Sequence, residues 1–244
     1  MHVETVGAGP RVVLLHGSVT SGTVTWVEQK PLADRFTLVV VNRSGYPPGP
    51  PLASTDFETQ AQELLEILRP GDHLVAHSYG GVVALLASAK APLASLTVIE
   101  PPAFGIARGH PAVEAFLDSV SEAPRDPRGY LEHFLPLVGS RIQLPDPLPA
   151  AIEAGARAAI AERPPHEAEI PLADLAAAPY PKLVVSGAHS EAFDAVCDVL
   201  QTQLGAERAV VGGVGHSIPR AGTQFNDVLL AFINRAHRAA AGAP

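Results

Sequence analysis

Six short runs of aliphatic and β-branched residues recur along the chain, at 11–15, 37–41, 73–76, 96–99, 183–185 and 208–211, each closed by turn-forming residues. Runs this short and this continuously apolar, without polar alternation, predict strands buried on both faces, as in a parallel sheet. Stretches with helical spacing lie between them, at 57–68, where Leu64, Leu65 and Leu68 share one side, and at 79–89, 192–204 and 223–236. Asp56 precedes the first where an N-cap belongs, and Pro70-Gly71 closes it. Strands alternating with helices predict an α/β fold: a doubly wound, mostly parallel sheet covered by helices on both faces, with its chemistry at the carboxyl ends of the strands.

The interval from Pro101 to about Pro181 breaks this rhythm. It offers no convincing strand but has helical stretches at 111–121, 128–138 and 149–162, joined by Pro-rich linkers. Residues 1–100 and 182–244 are therefore expected to form one core domain, and 101–181 a helical cap inserted over the strand ends.

Composition narrows the function. The chain has 244 residues, 47% hydrophobic and 17% charged, with a formal net charge of −8. It lacks the electropositive surface that binds a phosphate backbone, so nucleic acid is not an expected partner. A single cysteine, Cys197, excludes an intrachain disulfide and a zinc site built from several thiolates. No stretch approaches the ~18 apolar residues of a membrane span, and the first residues lack the basic start and apolar run of a secretion signal. The expectation is a cytoplasmic monomer or homodimer, without membrane contact, acting on a small molecule.

The segment Ala76-His77-Ser78-Tyr79-Gly80 carries the candidate chemistry. An alcohol is a weak nucleophile at neutral pH, so a catalytic serine needs a base within hydrogen-bond reach and donors for the oxyanion. A sharp strand-to-helix turn with small residues two before and two after the serine supplies the backbone donor that follows it. Ala76 stands where the G-x-S-x-G pattern has its first glycine, and alanine is small enough to be tolerated.

With these residues in place the chain resembles the α/β-hydrolase superfamily over essentially its whole length. Val13-Leu14-Leu15-His16-Gly17-Ser18 is similar to the family's strand and His-Gly turn, and Asn42-Arg43-Ser44-Gly45-Tyr46 to its D-R-x-G-Y loop, with Asn for Asp. His77-Ser78-Tyr79-Gly80-Gly81 matches the nucleophile turn, and Gly213-Val214-Gly215-His216 is similar to the terminal histidine loop. The resemblance implies Ser78 as nucleophile, His216 as base, and the Ser18 and Tyr79 N–H groups as oxyanion donors. Trp26 stands where many members place a tryptophan, and it and Phe104 are expected to face substrate.

The acid departs from the commonest pattern. Where the family usually has G-x-x-D after the penultimate strand, this chain reads Gly187-Ala188-His189-Ser190. Serine cannot stabilise an imidazolium as a carboxylate does. Glu100, at the end of the strand after the nucleophile helix and followed by Pro101-Pro102, occupies the alternative site that some α/β-hydrolases use, and is the preferred acid. Glu191, beside the vacated position, and a dyad without an acid remain open.

The reaction implied is hydrolysis of a carboxylic ester, thioester or lactone through an acyl-enzyme, with no metal or organic cofactor. Phe104, Phe116, Phe134 and Leu135 suggest an apolar pocket for a small to medium substrate. Carbon–carbon bond hydrolysis or lyase chemistry at the same serine, and a non-catalytic small-molecule binding role, are the competing readings.

Overall fold

The computed structural model describes residues 1–140 and 142–241. Its strands are β1 (His2–Val6), β2 (Arg11–Leu15), β3 (Thr37–Asn42), β4 (His73–His77), β5 (Ser95–Ile99), β6 (Lys182–Ser186) and β7 (Glu207–Val210). They form one sheet in the order β1-β3-β2-β4-β5-β6-β7, with β1 antiparallel to β3 and the other pairs parallel. The six expected strands are all present. β1 is an addition: all five of its residues are exposed, so it carries no hydrophobic signal and owes its place to pairing with β3.

The helices are α1 (Gly22–Thr25), α2 (Phe57–Ile67), α3 (Tyr79–Ser88), α4 (Pro111–Ser121), α5 (Pro127–Leu137), α6 (Ala150–Ile160), α7 (Leu172–Ala177), α8 (Glu191–Leu204) and α9 (Thr223–Ala241). The Asp56 carboxylate accepts from the Glu58 and Thr59 N–H groups and starts α2 as expected of an N-cap. Along β2, Val13 and Leu15 enter one apolar cluster with residues of α2, α3 and α8, whereas Val12 and Leu14 enter a second with Phe225, Leu229 and Phe232 of α9. Both faces of the sheet are thus covered, which is why its interior strands read as unbroken apolar runs.

α4 to α7 all lie between β5 and β6. Leu175 of α7 is fully buried in the first cluster, so the last of these helices packs onto the core. No helix among the described residues is long and apolar enough to cross a membrane.

Chain order places the chemistry. β2 leads outward to β3, and the chain then crosses to β4 on the other side of β2, which makes the β2/β4 pair the switch point where a crevice opens. Leu15 pairs with Ala76. The turns after β2 and β4, carrying Ser18 and Ser78, therefore leave the sheet side by side.

Candidate active site

Ser78 sits between β4 and α3 at φ 54°, ψ −128°, a conformation that non-glycine residues rarely adopt. Its N–H is held by the Ile99 carbonyl at 2.9 Å. Glycines let the neighbouring backbone close around it. A Cβ on Gly80 would lie 2.3 Å from the His16 carbonyl oxygen, and one on Gly17 would lie 2.6 Å from the Ser78 Cβ. Ala76, by contrast, is an ordinary fully buried β4 residue, so the methyl group that replaces the pattern's first glycine is absorbed by the core.

His216 follows β7 in a loop bent by Gly213 (φ 91°) and Gly215 (φ 57°). Its Nδ1 lies 2.6 Å from Glu100 Oε2, and its Nε2 is buried without a hydrogen-bond partner among the described residues. Since a carboxylate only accepts, Nδ1 carries the proton and Nε2 presents a lone pair. The backbone of His216 is also fixed: its N–H donates to the Val138 carbonyl at 3.1 Å, and its carbonyl accepts from His77 Nε2 at 2.8 Å.

Glu100 is 1% exposed and also has positive φ, 42°. Oε1 accepts the Gly187 N–H at 2.6 Å, and Oε2 accepts from His189 Nε2 at 2.9 Å as well as from His216. Burial pushes this carboxyl up. Hydrogen bonds from His189 and His216, the charge of His216 and the Gly187 N–H outweigh that and hold it at about 2. Glu191, the other candidate acid, is exposed at the start of α8. The glutamate brought to His216 is Glu100. No sequence pattern marks His189 as a partner of this carboxylate, although it lies in the turn whose usual aspartate is missing.

Glu100, His189 and His216 present donor atoms within 4.8 Å of one another, a spacing a metal could use. Both ring N–H groups are already spent on the carboxylate, however, so the lone pairs needed for ligation do not converge there.

Ser78, His216, Ser18, Tyr79 and Phe104 line one cavity of about 580 Å³. Phe116, Phe134, Phe193 and Leu117 form its apolar side, and Tyr130, Glu162 and Arg163 contribute polar groups. Phe104 packs its ring 4.9 Å from Phe116 and 5.2 Å from Phe193. The Ser18 N–H has no acceptor among the described residues, and Tyr79 opens α3, where a helix N–H has no partner within the helix. Trp26 does not reach this cavity: it is buried in the second apolar cluster with Leu14, Leu32 and Phe36, on the α9 face of the sheet. Leu135 is likewise outside the lining.

The supporting residues are equally defined. His16 Nδ1 donates to the Gly17 carbonyl at 2.7 Å while Nε2 accepts the Arg43 N–H at 2.9 Å, which fixes a neutral ring. Burial and the Arg43 charge lower its pKa well below the usual 6.5. Asn42, in the place of the pattern's aspartate, accepts the Gly22 N–H through Oδ1 at 2.8 Å, a role that needs no charge.

The model of the alpha/beta hydrolase family matches residues 12–228. The chain belongs to that family. Among its curated relatives, a pimeloyl-[acyl-carrier protein] methyl ester esterase of Methylococcus capsulatus is 38% identical over 123 residues, 47% of this chain and 46% of the relative. The chain spans less than half the length of the curated relatives it matches. Of solved structures, MenH from S. aureus superposes with a TM-score of 0.72 at 17% identity, covering 97% of this chain and 99% of that one. Est816, described as an N-acyl homoserine lactone degrading enzyme, gives 0.66 at 22% identity, covering 95% and 96%. At these identities the two structures speak for the fold alone.

Proposed function

We propose that this protein is a serine hydrolase that cleaves an ester-like bond of a small to medium apolar substrate through an acyl-enzyme on Ser78. One observation carries the reading: Ser78, on a strained turn, shares a cavity with a histidine whose Nδ1 is held by a buried carboxylate and whose Nε2 lone pair is uncommitted. A carboxylate, an imidazole oriented by it and a serine make up the apparatus of acyl transfer.

His216 Nε2 takes the Ser78 hydroxyl proton as Oγ bonds to the carbonyl carbon, and the carbonyl π electrons move onto oxygen. The Ser18 and Tyr79 N–H groups receive that oxyanion, while ionised Glu100 stabilises the imidazolium. The bond to the leaving oxygen then breaks, and His216 returns the proton to it. Water, deprotonated by His216, attacks the acyl-Ser78 ester and releases the acid and the serine. Each oxyanion N–H is worth about 3 kcal/mol in such a site.

Residues 101–181 act as the cap over this centre, and their apolar side chains select the acyl part of the substrate. A methyl or similarly small ester of a medium-length acyl chain fits both the cavity and the methyl ester esterase activity for which the curated relatives are named. Labelling with a fluorophosphonate tests the proposal. The wild-type protein is expected to be labelled, and Ser78→Ala and His216→Ala are expected to lose the label. A folded wild-type protein that resists labelling refutes it.

A further inference from the structure

Glu162 follows α6 in the inserted segment, far in sequence from the Gly17-Ser18-Val19 turn, yet it meets that turn inside the protein. Its Oε2 accepts from Ser18 Oγ at 2.5 Å, and its Oε1 accepts from Arg43 Nη2 at 2.5 Å and from Tyr46 Oη at 2.9 Å. The Arg43 and Glu162 side chains are 0% and 6% exposed. Arg43 Nη2 also donates to the Gly17 carbonyl at 2.8 Å, and the Val19 N–H donates to Tyr46 Oη at 3.3 Å. Each residue of the turn is thereby gripped by the same network.

Two backbone contacts bring the carboxylate there. The Thr55 N–H donates to the Ala161 carbonyl and the Arg163 N–H to the Thr55 carbonyl, both at 2.9 Å, so residues 161–163 are laced to the core. Gly155 of α6 lies so close to the turn that a Cβ on it would be 1.7 Å from the Val19 carbonyl oxygen. Val19 itself has φ 72°, a conformation that a β-branched residue keeps only when its surroundings impose it.

We infer that Glu162 is a positioning residue: through Ser18 Oγ, Arg43 and Tyr46 it holds the 17–19 turn so that the Ser18 N–H faces the developing oxyanion, which makes the donor pair complete only with the cap seated. The inference rests on the serine hydrolase reading and extends it to a residue of the inserted segment. A glutamine at 162 keeps one acceptor oxygen but cannot serve Ser18, Tyr46 and Arg43 together, and it leaves the guanidinium without its counter-charge. The turn then loses its fixed orientation, and what is lost is transition-state binding, not substrate binding.

The test compares wild type, Glu162→Gln, Ser18→Ala and the double variant on p-nitrophenyl butyrate, with butylboronic acid as a probe that forms a tetrahedral adduct with Ser78. For Glu162→Gln, kcat is expected to fall about 10- to 100-fold with KM within about threefold, and the boronic acid to lose affinity by the same factor as kcat/KM. Ser18→Ala should add little in the Glu162→Gln background, because the two share one interaction. A rise in KM at constant kcat, unchanged boronic acid affinity, or a folded Glu162→Gln with wild-type kcat each overturns the inference. If Glu162→Gln does not fold, Ser18→Ala and Tyr46→Phe carry the test, and wild-type kcat and boronic acid affinity in both overturn it. Fluorophosphonate separates the two levels: an unlabelled wild type refutes the hydrolase reading and this inference with it, whereas a labelled wild type alongside an unaffected Glu162→Gln refutes only the inference.

Discussion

Glu100→Gln is the most informative single change, because every atom of the carboxylate has an assigned partner. Oε1 receives the Gly187 N–H, and Oε2 receives both His216 Nδ1 and His189 Nε2. If the glutamine oxygen takes the Gly187 bond, its NH2 group faces two ring nitrogens that were donors. His216 must then move its proton to Nε2, where it can no longer accept from Ser78. If the amide is reversed, its NH2 opposes the Gly187 N–H instead. With burial pushing the Glu100 pKa up and these partners pulling it down, the net lowering from an ordinary 4.5 to about 2 sets the scale on which the site favours the charged form. At about 1.4 kcal/mol per pH unit this is roughly 3 kcal/mol, and losing it from a transition state that contains an imidazolium corresponds to about 10² in rate. The tautomer penalty comes on top, so kcat on p-nitrophenyl butyrate is expected to fall by between about 10² and 10⁴. Glu191→Gln, at an exposed helix start, should stay near wild type. Stability follows the same carboxylate. A group held ionised below its unfolded pKa stabilises the fold fully above about 4.5 and loses that contribution as the pH falls toward 2. The gap between wild-type and Glu100→Gln urea midpoints should therefore close over that window. A folded Glu100→Gln with kcat within threefold of wild type refutes the reasoning, as does a large loss at Glu191 in its place.

Two further outcomes follow from the packing. His16 is kept neutral in the fold with its pKa well below 6.5, so its contribution is complete above that value and declines as the pH falls, with a slope of up to about 1.4 kcal/mol per pH unit. His16→Gln, which retains one donor and one acceptor, should show a flatter loss of urea stability between pH 7 and 5, and an unchanged slope would count against it. Phe104 is 2% exposed between Phe116 and Phe193, so Phe104→Ala should destabilise by about 3 to 5 kcal/mol and shift activity toward bulkier acyl esters. A variant with wild-type chain-length preference would remove Phe104 from the acyl pocket.

The α/β architecture is readable from the chain because a sheet covered on both faces writes unbroken apolar runs, and the five interior strands, β2 to β6, do so. β1 is silent for the opposite reason: His2–Val6 is held by backbone bonds to β3 and buries no side chain. α7 escapes notice because six residues between prolines carry too little periodicity to read. At the site, Ser78 and His216 are visible because turn glycines accompany both. The choice of Glu100 over Glu191 as the residue nearest His216 needs the vacated position together with the resemblance to α/β-hydrolases whose acid stands at the alternative site, at the end of the strand after the nucleophile helix. His189, Arg43 and Glu162 are another matter, since their roles depend on contacts between segments 89, 119 and 144 residues apart, which no local pattern encodes. Trp26 shows the converse failure: a family position says that a tryptophan is present, not which side of the sheet its ring occupies.

The peptide after Glu100 also marks a seam for engineering. Glu100 is the last residue before Pro101-Pro102 lead the chain into the inserted helices, and midway along that excursion, just after α5, the Val138 carbonyl accepts the His216 N–H. A foreign set of helices grafted at residue 101 would thus have to reproduce a backbone acceptor at the place of Val138 and a carboxylate at the place of Glu162. Swapping the helices for a new specificity would replace scaffolding of the reaction centre along with the pocket walls. A transplant that keeps 101–102, 136–139 and 161–163 from this chain and exchanges only what lies between confines the change to the walls.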